Sequence, residues 1–330
     1  MFLDESLERT RGQRPSKRTI ARMSAPLQVI DVRTALREAM GRLRQGRVPS
    51  RTLAAELLLM HVLGRDRAWL YSHAEDLLDA ASADRYFALV ERRVAGTPTQ
   101  YLTGHQEFWG LDFEVAPGVL IPRPETEHVI EVALERLGRS NAQRARRAAL
   151  NGAGLRLVDV GTGSGCLAVA LARELSEAVV FAVDISPTAL AIARRNAARH
   201  GVGSRILFVQ GNLLEAFLSP PTAALRATFD LVVSNPPYVG RDAAEQLPRE
   251  IREHEPEQAL FSGQQGFEIY EPVTMQAEQL LTAGGILVLE LGYNSLPRVR
   301  MLLDSQGVWA HIAVTNDLAG IPRVLAAERL

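Results

Sequence analysis

A glycine-rich loop that joins an apolar strand to an apolar helix constrains this chain more than any other feature. Residues 157–160 read Leu-Val-Asp-Val and lead directly into Gly-Thr-Gly-Ser-Gly at 161–165, after which a helix begins at Cys166. A strand, a glycine loop and a helix N-terminus form a cradle for a nucleotide-like ligand, because without Cβ atoms the backbone can approach it closely. We therefore expect a cofactor to be bound by the loop residues Gly161, Thr162, Gly163, Ser164 and Gly165.

The residues around this loop indicate which cofactor it holds. Asp184 ends the next predicted strand, where a carboxylate accepts hydrogen bonds from both hydroxyls of a ribose. A dinucleotide fingerprint reads GxGxxG or GxGxxA, but here its third position is Cys166 and the spacing is GxGxG. Asp159 would oppose a pyrophosphate, whereas S-adenosylmethionine has no phosphate and carries a sulfonium and an amino group. The pattern favours S-adenosylmethionine over a dinucleotide.

Strands and helices alternate from this region to the end of the chain. Short apolar runs suited to buried parallel strands are separated by helical stretches such as 189–198 and 273–281. This alternation predicts an α/β fold with a doubly wound sheet and right-handed crossovers. The predicted strands are 155–160, 179–183, 206–210, 229–234 and 285–289.

The first part of the chain has a different pattern. Residues 1–28 have the composition of a disordered tail. Residues 29–96 show helical periodicity and few clustered titratable groups, which indicates a small helical substrate-binding domain. Within it, Ser50 is expected to cap a helix that stops at Gly64, and Asp84 to open a last helix.

The next segments connect this helical region to the sheet. Glycines, prolines and β-type alternation at 97–122 predict a β-hairpin linker, and the domain that contains the glycine loop and the sheet would then span 123–330. A helix is expected at 125–137. Its successor, 139–154, is rich in arginine with glycine and asparagine breakers, and is expected to be a solvated loop or ragged helix.

Composition excludes several classes of protein. With 37 Lys plus Arg against 38 Asp plus Glu the formal net charge is −1, which argues against binding nucleic acid through bulk electrostatics. Cys166 is the one cysteine, so no internal disulfide or cysteine metal site is possible and a reducing, cytoplasmic setting fits. The seven histidines form no ligand pair, and no apolar run reaches the ~18 residues of a membrane span. We expect no metal, no membrane and no direct nucleic-acid partner.

The fourth predicted strand ends in Asn235, Pro236, Pro237 and Tyr238, beyond a carboxyl end where such sheets bind ligands. Asn235 offers a carbonyl acceptor, and the two prolines fix φ and remove two backbone donors. Tyr238 offers a flat face for stacking on a planar group. Acceptors aimed at both hydrogens of a planar –NH2 group would orient its nitrogen toward a methyl donor. The segment therefore predicts methyl transfer to an amide or exocyclic amino nitrogen.

With these motifs the chain resembles the release factor glutamine methyltransferase family (protein-glutamine N5-methyltransferases) over roughly residues 30–330. The stretch 120–127, Leu-Ile-Pro-Arg-Pro-Glu-Thr-Glu, carries the resemblance most specifically, and 235–238 is shared with DNA adenine-N6 methyltransferases. The segment 317–320, Asp-Leu-Ala-Gly, resembles the family's terminal hairpin. Other matching positions are Pro98, Gln100, Tyr101, Gly104, Phe108, Glu255, Pro256, Ala259, Leu260, Gly263 and Gly266.

The resemblance implies a seven-stranded, mostly parallel sheet of the class I S-adenosylmethionine methyltransferases. It implies methylation of the glutamine N5 in the Gly-Gly-Gln loop of class 1 peptide chain release factors, with S-adenosylhomocysteine as product. Asn235, Pro236, Pro237 and Tyr238 would bind the amide, Asn235 would also contact the cofactor, and the helical domain would grip the release factor. Where the family often has an acidic residue and an aromatic, this chain has Asn212 and Leu213, which would hold adenine instead.

Two other acceptors fit the same motifs. A sister glutamine methyltransferase that acts on a ribosomal protein shares the glycine loop and the Asn-Pro-Pro-Tyr segment. A DNA or RNA adenine-N6 methyltransferase would require a basic cleft and a base-flipping pocket, which the near-neutral composition does not favour. A third possibility is a cofactor-binding module that has lost its catalytic activity. The intact Asn235 and Pro236 argue against it.

Overall fold

The alternating strands and helices form one seven-stranded sheet. The computed structural model of the chain describes residues 30–139, 154–219, 222 and 225–330. The five strands predicted from the apolar runs are all present, four of them with bounds within one residue, whereas the predicted 285–289 is part of a ten-residue strand. The sheet strands are β5 (Arg156–Val160), β6 (Val179–Asp184), β7 (Ile206–Gln210), β8 (Phe229–Ser234), β9 (Leu281–Glu290), β10 (Trp309–Asn316) and β11 (Pro322–Arg329).

The strand order is β10-β11-β9-β8-β5-β6-β7, and β11 alone runs against the others. The order reverses at β5, since the chain moves outward to β6 and β7 and then returns to β8. Ligands bind at such a switch point, beyond the carboxyl ends of the strands. The glycine loop follows β5 and the Asn-Pro-Pro-Tyr segment follows β8, so the two motifs are neighbours at this edge.

Helices cover both faces of the sheet, as the doubly wound class requires. Apolar side chains of α6, α7 and α8 pack with β5 and β8 into one core, and those of α12 and α13 pack on the other face. The α/β class with a mostly parallel sheet is therefore confirmed. The helices of this part are α6 (Glu127–Arg139), α7 (Cys166–Glu174), α8 (Pro187–Arg199), α9 (Glu215–Leu218), α10 (Arg249–His254), α11 (Glu257–Leu260), α12 (Tyr270–Leu280) and α13 (Leu296–Gln306).

The region before the sheet is helical and has its own apolar core. Two details differ from expectation. Asp79, not Asp84, caps the last helix, because its carboxylate accepts the Ser82 N–H at 2.9 Å while Asp84 lies inside the helix. Ser50 precedes its helix with φ of +47° and makes no side-chain capping bond. The elements are β1 (Ile30–Asp31), α1 (Val32–Gln45), α2 (Arg51–Leu63), α3 (Arg67–Ser72), β2 (Leu77–Leu78) and α4 (Ala80–Val94).

The hairpin in the segment 97–122 is shorter than predicted. A helix, α5 (Thr99–Thr103), precedes β3 (His105–Phe108) and β4 (Leu111–Glu114), and Gly104 ends it with φ of +79°. The helix expected at 125–137 starts at Glu127, after a 3-10 turn at Pro124–Thr126. The predictions for residues 1–28 and for most of 139–154 fall outside the described residues. Across the part of the chain that is described, no helix is long and apolar enough to cross a membrane.

Candidate active site

The glycine loop exposes its backbone to a cavity at the carboxyl edge of the sheet. Gly161 and Gly163 have φ of +74° and +56° and line the cavity, and a Cβ at Gly161 would meet no atom within 4 Å. Gly165 has another role, because a Cβ there would lie 3.0 Å from the Ala193 side chain on α8. The first two glycines therefore leave the loop backbone open to the cavity, and the third allows the loop to pack against α8.

Asp184 at the end of β6 links the loop to the cavity. Its Oδ2 accepts the N–H of Gly163 and its Oδ1 accepts the N–H of Ser186, each at 2.8 Å. Burial raises the pKa of this carboxyl, and the backbone N–H groups of Ser186 and Gly163 act in the opposite direction. Each oxygen keeps a lone pair for a ligand hydroxyl. The side chain is thus placed for the ribose contact that the sequence predicts.

The cavity has a volume of about 320 Å³, within the range of small-molecule sites. Its walls include two apolar side chains that the sequence did not single out, Leu120 and Ile185, and the latter is 55% exposed. Asn212 and Leu213 also line it. The Asn212 side-chain nitrogen donates to Glu215 Oε1 at 2.8 Å, which leaves one N–H for a ligand. Leu213 has φ of +49°, which turns the chain around this end of the cavity.

A smaller cavity of about 40 Å³ continues from the first along the glycine loop. Thr162 and Ser164 line it together with Asn235. Behind it lies Asp159, whose Oδ2 accepts from the Thr162 hydroxyl at 2.6 Å and from the Ala168 N–H at 3.1 Å. Its Oδ1 is buried and has no hydrogen-bond partner among the described residues. Burial raises the pKa of Asp159 to about 7.

These two cavities fit S-adenosylmethionine. An unpartnered buried carboxylate oxygen suits a cationic ligand and would repel a pyrophosphate. The larger cavity offers Asp184 for hydroxyl groups and apolar walls for a flat base. Cys166 lines the smaller cavity, but burial raises the pKa of its thiol to about 12, so it stays protonated and is no nucleophile.

The Asn-Pro-Pro-Tyr segment contributes to the walls of both cavities. Asn235 lines both cavities and Pro237 lines the larger one. Within the described ranges, the carbonyl oxygens of Asn235 and Pro236 accept no hydrogen bond, as expected beside prolines. Tyr238 lines neither cavity, and its hydroxyl points inward and donates to Glu290 Oε1 at 3.1 Å. The sequence predicted that the Tyr238 ring stacks on a planar group. The contact of its hydroxyl with Glu290 indicates a different, inward-facing role.

Two residues complete the site that the sequence analysis did not assign. Asn235 Nδ2 donates to the Thr126 hydroxyl at 3.0 Å, and Thr126 is almost fully buried. Glu290, at the end of β9, holds Tyr238 and is equally buried. The available signals were the place of Thr126 in the 120–127 stretch and a charge at the end of an apolar strand.

The backbone directly after Tyr238 is hydrogen-bonded to a second loop, which contains Leu260 and Ser262. Val239 N–H donates to the Leu260 carbonyl and Ser262 N–H donates to the Val239 carbonyl, both at 2.9 Å. A Cβ on Gly266 would lie 2.5 Å from the Tyr238 carbonyl oxygen, so only glycine permits this backbone contact. Arg123, from the 120–127 stretch, pairs with buried Glu255 just before this loop. The 120–127 stretch, this loop and the end of β9 thus fix the position of the Asn-Pro-Pro-Tyr segment.

Comparison with known proteins now places this site in a family. The model of the PrmC N-terminal domain matches residues 34–104, and that of a methyltransferase domain matches residues 151–318. The release factor glutamine methyltransferase of Koribacter versatilis (strain Ellin345) is 41% identical over 298 residues, which cover 90% of this chain and 98% of the relative. The enzyme of that name from Moorella thermoacetica (strain ATCC 39073 / JCM 9320) is 40% identical, with the same coverage.

The chain belongs to the release factor glutamine methyltransferase family. The predictions of a methyltransferase and of S-adenosylmethionine as its methyl donor are confirmed. Among solved structures, the catalytic domain of human METTL16, in complex with MAT2A 3'UTR hairpin 1, aligns with a TM-score of 0.51 at 17% identity. That alignment covers 78% of this chain and 83% of the other, and shows a shared fold.

Proposed function

We propose that this family member transfers a methyl group from S-adenosylmethionine to N5 of the glutamine in the Gly-Gly-Gln loop of class 1 release factors. One observation carries the proposal. The Asn235 nitrogen is committed to Thr126, so its carbonyl oxygen is left for a donor beside both cavities. A primary amide presents two N–H donors, and the unpaired carbonyl of Pro236 offers the second acceptor.

The residues of the chain would act by positioning. The amide nitrogen is a weak nucleophile, and two acceptors on its hydrogens hold it in one orientation and increase its electron density. Bound cofactor supplies the electrophilic methyl group. Transfer would form the C–N bond and release S-adenosylhomocysteine, and the proton given up by the amide nitrogen would pass to water. The site residues are Asn235, Pro236 and Pro237 for the substrate amide, with Tyr238 supporting the loop, and Gly161, Thr162, Gly163, Ser164, Asp184, Asn212 and Leu213 for the cofactor.

The helical segment 29–96 would bind the release factor away from the reacting glutamine. It carries exposed apolar side chains at Leu53, Tyr71 and Leu77, which are 49%, 60% and 68% exposed. Its last helix is tied to the region after the reactive loop by the buried Arg93, which pairs with Glu250 on α10. A protein substrate held by this segment would therefore be held at a fixed place relative to Asn235. A cytoplasmic location belongs to the same proposal.

The test is a methylation assay with isotope-labelled S-adenosylmethionine and purified class 1 release factor, followed by mass-spectrometric mapping. We expect one methyl group on the glutamine of the Gly-Gly-Gln loop. A release factor with that glutamine replaced by asparagine is the matched control and should remain unlabelled. Ribosomal protein and adenine-containing DNA are assayed in parallel. Label in either of these, with none in the release factor, would refute the proposal in favour of the corresponding alternative acceptor.

A further inference from the structure

Two almost fully buried polar residues lie behind the Asn-Pro-Pro-Tyr segment, and one of them, Thr126, also lines the smaller cavity. Thr126 is 2% exposed and Glu290 is 1% exposed. They come from the 3-10 turn Pro124–Thr126 and from the end of β9, and both contact the Asn-Pro-Pro-Tyr segment. Burying a carboxyl without a salt-bridge partner is costly, so a purely structural position would favour an apolar side chain.

The contact at Thr126 determines the orientation of the Asn235 amide. The Asn235 nitrogen donates to the Thr126 hydroxyl oxygen at 3.0 Å. A hydroxyl that accepts this bond has a single hydrogen to donate elsewhere. In the described part of the chain, that hydrogen has no acceptor at normal hydrogen-bond distance, and the carboxyl with which the Thr126 hydroxyl interacts is that of Glu290.

Glu290 is suited to receive it. An ionised carboxylate can only accept hydrogen bonds. Burial raises the pKa of Glu290 to about 7, and the hydroxyls of Thr126 and Tyr238 act in the opposite direction because they favour its charged form. Its Oε1 accepts from Tyr238, whereas Oε2 has no hydrogen-bond partner of normal length within the described residues. The Thr126 hydroxyl, which interacts with this carboxyl, is therefore the donor available to it.

This sequence of donors has one consequence for the reaction. With Glu290 as the acceptor, Thr126 donates to it and accepts from Asn235, which turns the Asn235 oxygen toward the cavities. In the flipped orientation, the Asn235 –NH2 group would face the –NH2 group of a substrate amide, and two donors would oppose each other.

We propose that Thr126 and Glu290 are positioning residues that hold the Asn235 carbonyl oxygen toward the acceptor nitrogen. The inference rests on the proposed function, since it assumes an acceptor –NH2 group at Asn235. It predicts that removing the Thr126 hydroxyl lowers turnover through the orientation of Asn235, beyond any effect on cofactor bound in the cavity that Thr126 lines. Glu290 would act through Thr126 on Asn235 and through Tyr238 on the other end of the same segment.

The first experiment compares Thr126→Val, which keeps the shape and removes the hydroxyl, with Thr126→Ser, which keeps the hydroxyl. In the full-length enzyme, Thr126→Val should lower kcat roughly 10–100-fold, as the loss of a supporting hydrogen bond does elsewhere. The KM of the release factor should change less than about threefold, and any change in the Kd of the cofactor, whose smaller cavity Thr126 lines, should be much smaller than the change in kcat. Thr126→Ser should retain most of the turnover, and Glu290→Gln should behave like Thr126→Val.

Equal kcat for Thr126→Val and the parent would overturn the proposal, and so would a loss explained entirely by weaker cofactor binding. A second measurement does not depend on methylation. The side-chain ¹⁵N amide signals of Asn235, assigned by their absence in Asn235→Ala, should shift and exchange faster with solvent in Thr126→Val than in Thr126→Ser. Unchanged signals would refute the positioning role. A parent enzyme that labels no glutamine but shows this shift would instead refute the proposed function alone.

Discussion

The backbone N–H of Gly163 donates to Oδ2 of Asp184 at 2.8 Å, so the glycine loop and the carboxylate proposed to bind the ribose hold each other in place. The same carboxylate also accepts the Ser186 N–H at the start of α8. Asp184 therefore organises the cavity as well as lining it. Removing its charge affects the ligand contact and the shape of the loop together.

Asp184→Ala should weaken cofactor binding by roughly 2–4 kcal/mol, because two charge-assisted contacts to hydroxyls are lost. Asp184→Asn keeps the shape and one acceptor oxygen and should lose less. Titration calorimetry measures both, and the melting temperature in the absence of cofactor reports on the loop. Unchanged affinity in Asp184→Ala would show that the ribose lies elsewhere.

Asn235→Ala should lower turnover about 100-fold or more, because one acceptor for the substrate amide is lost in the transition state. Asn235→Asp keeps the shape but replaces the nitrogen that donates to Thr126 with a second acceptor. We expect it to retain cofactor affinity and lose most turnover. Single-turnover rates and calorimetry separate the two effects. If both variants methylate release factor at the parental rate, Asn235 has no role in the reaction.

Asp159 predicts a pH dependence of stability without cofactor. Its folded-state pKa of about 7 lies above the usual value of 3.8. The folded protein therefore binds this proton more tightly than the unfolded chain, and the contribution to stability is present at low pH and lost as the pH rises through about 7. Glu290 contributes in the same direction. Relative to the parent, Asp159→Asn should gain stability as the pH rises from 5 to 8, measured by denaturant unfolding.

Bound cofactor should reverse the preference of Asp159, because a nearby cation favours the charged carboxylate. Cofactor affinity should then rise with pH by up to about tenfold per unit below pH 7 and level off above it. Calorimetry at pH 6.5 in two buffers of different ionisation enthalpy should detect proton release. Asp159→Asn is the control for titration of the cofactor's own amino group. An identical pH profile in this variant would contradict the assignment.

Arg93→Met tests the connection between the helical segment and the reactive region. It removes the pairing of Arg93 with Glu250 and should cost about 1–3 kcal/mol in unfolding free energy, less than a fully buried pair because Glu250 is partly exposed. The KM for intact release factor should rise more than the KM for a short peptide containing the Gly-Gly-Gln sequence. Arg300→Met, which breaks an exposed pair with Asp304, is the control and should cost about 0.5 kcal/mol or less. Equal changes in both KM values would argue against a gripping role.

The sequence predicted the features that depend on local pattern. Strands at 206–210 and 229–234 were found with the predicted bounds, because each is an apolar run between breakers, although only the second is buried throughout. The sequence indicated Asp84 instead of Asp79 as the cap. Which of the nearby aspartates caps the helix depends on where α4 packs, and the local sequence does not show this. The short helix α5 was hidden by the glycines and prolines around it.

The supporting residues of the site could not be predicted in this way. Thr126 meets Asn235 across 109 positions of chain, and no local pattern encodes such a contact. The orientation of the Asn235 amide depends on that contact. Similarly, the Tyr238 hydroxyl points inward because it donates to the Glu290 carboxylate, which lies 52 positions further along the chain at the end of β9.

The backbone contact between Gly266 and Tyr238 limits how far the Asn-Pro-Pro-Tyr segment can be treated as a portable unit. A neighbouring loop helps to fix the shape of the segment and can approach it only because Gly266 has no side chain. Thr126 and Glu290, which lie beneath the segment, also fix its shape. Grafting these four residues onto the end of a strand in another α/β protein would transfer their sequence but not their geometry. An engineered amide methyltransferase would have to import the 120–127 stretch, the 255–266 loop and the end of β9 together with them.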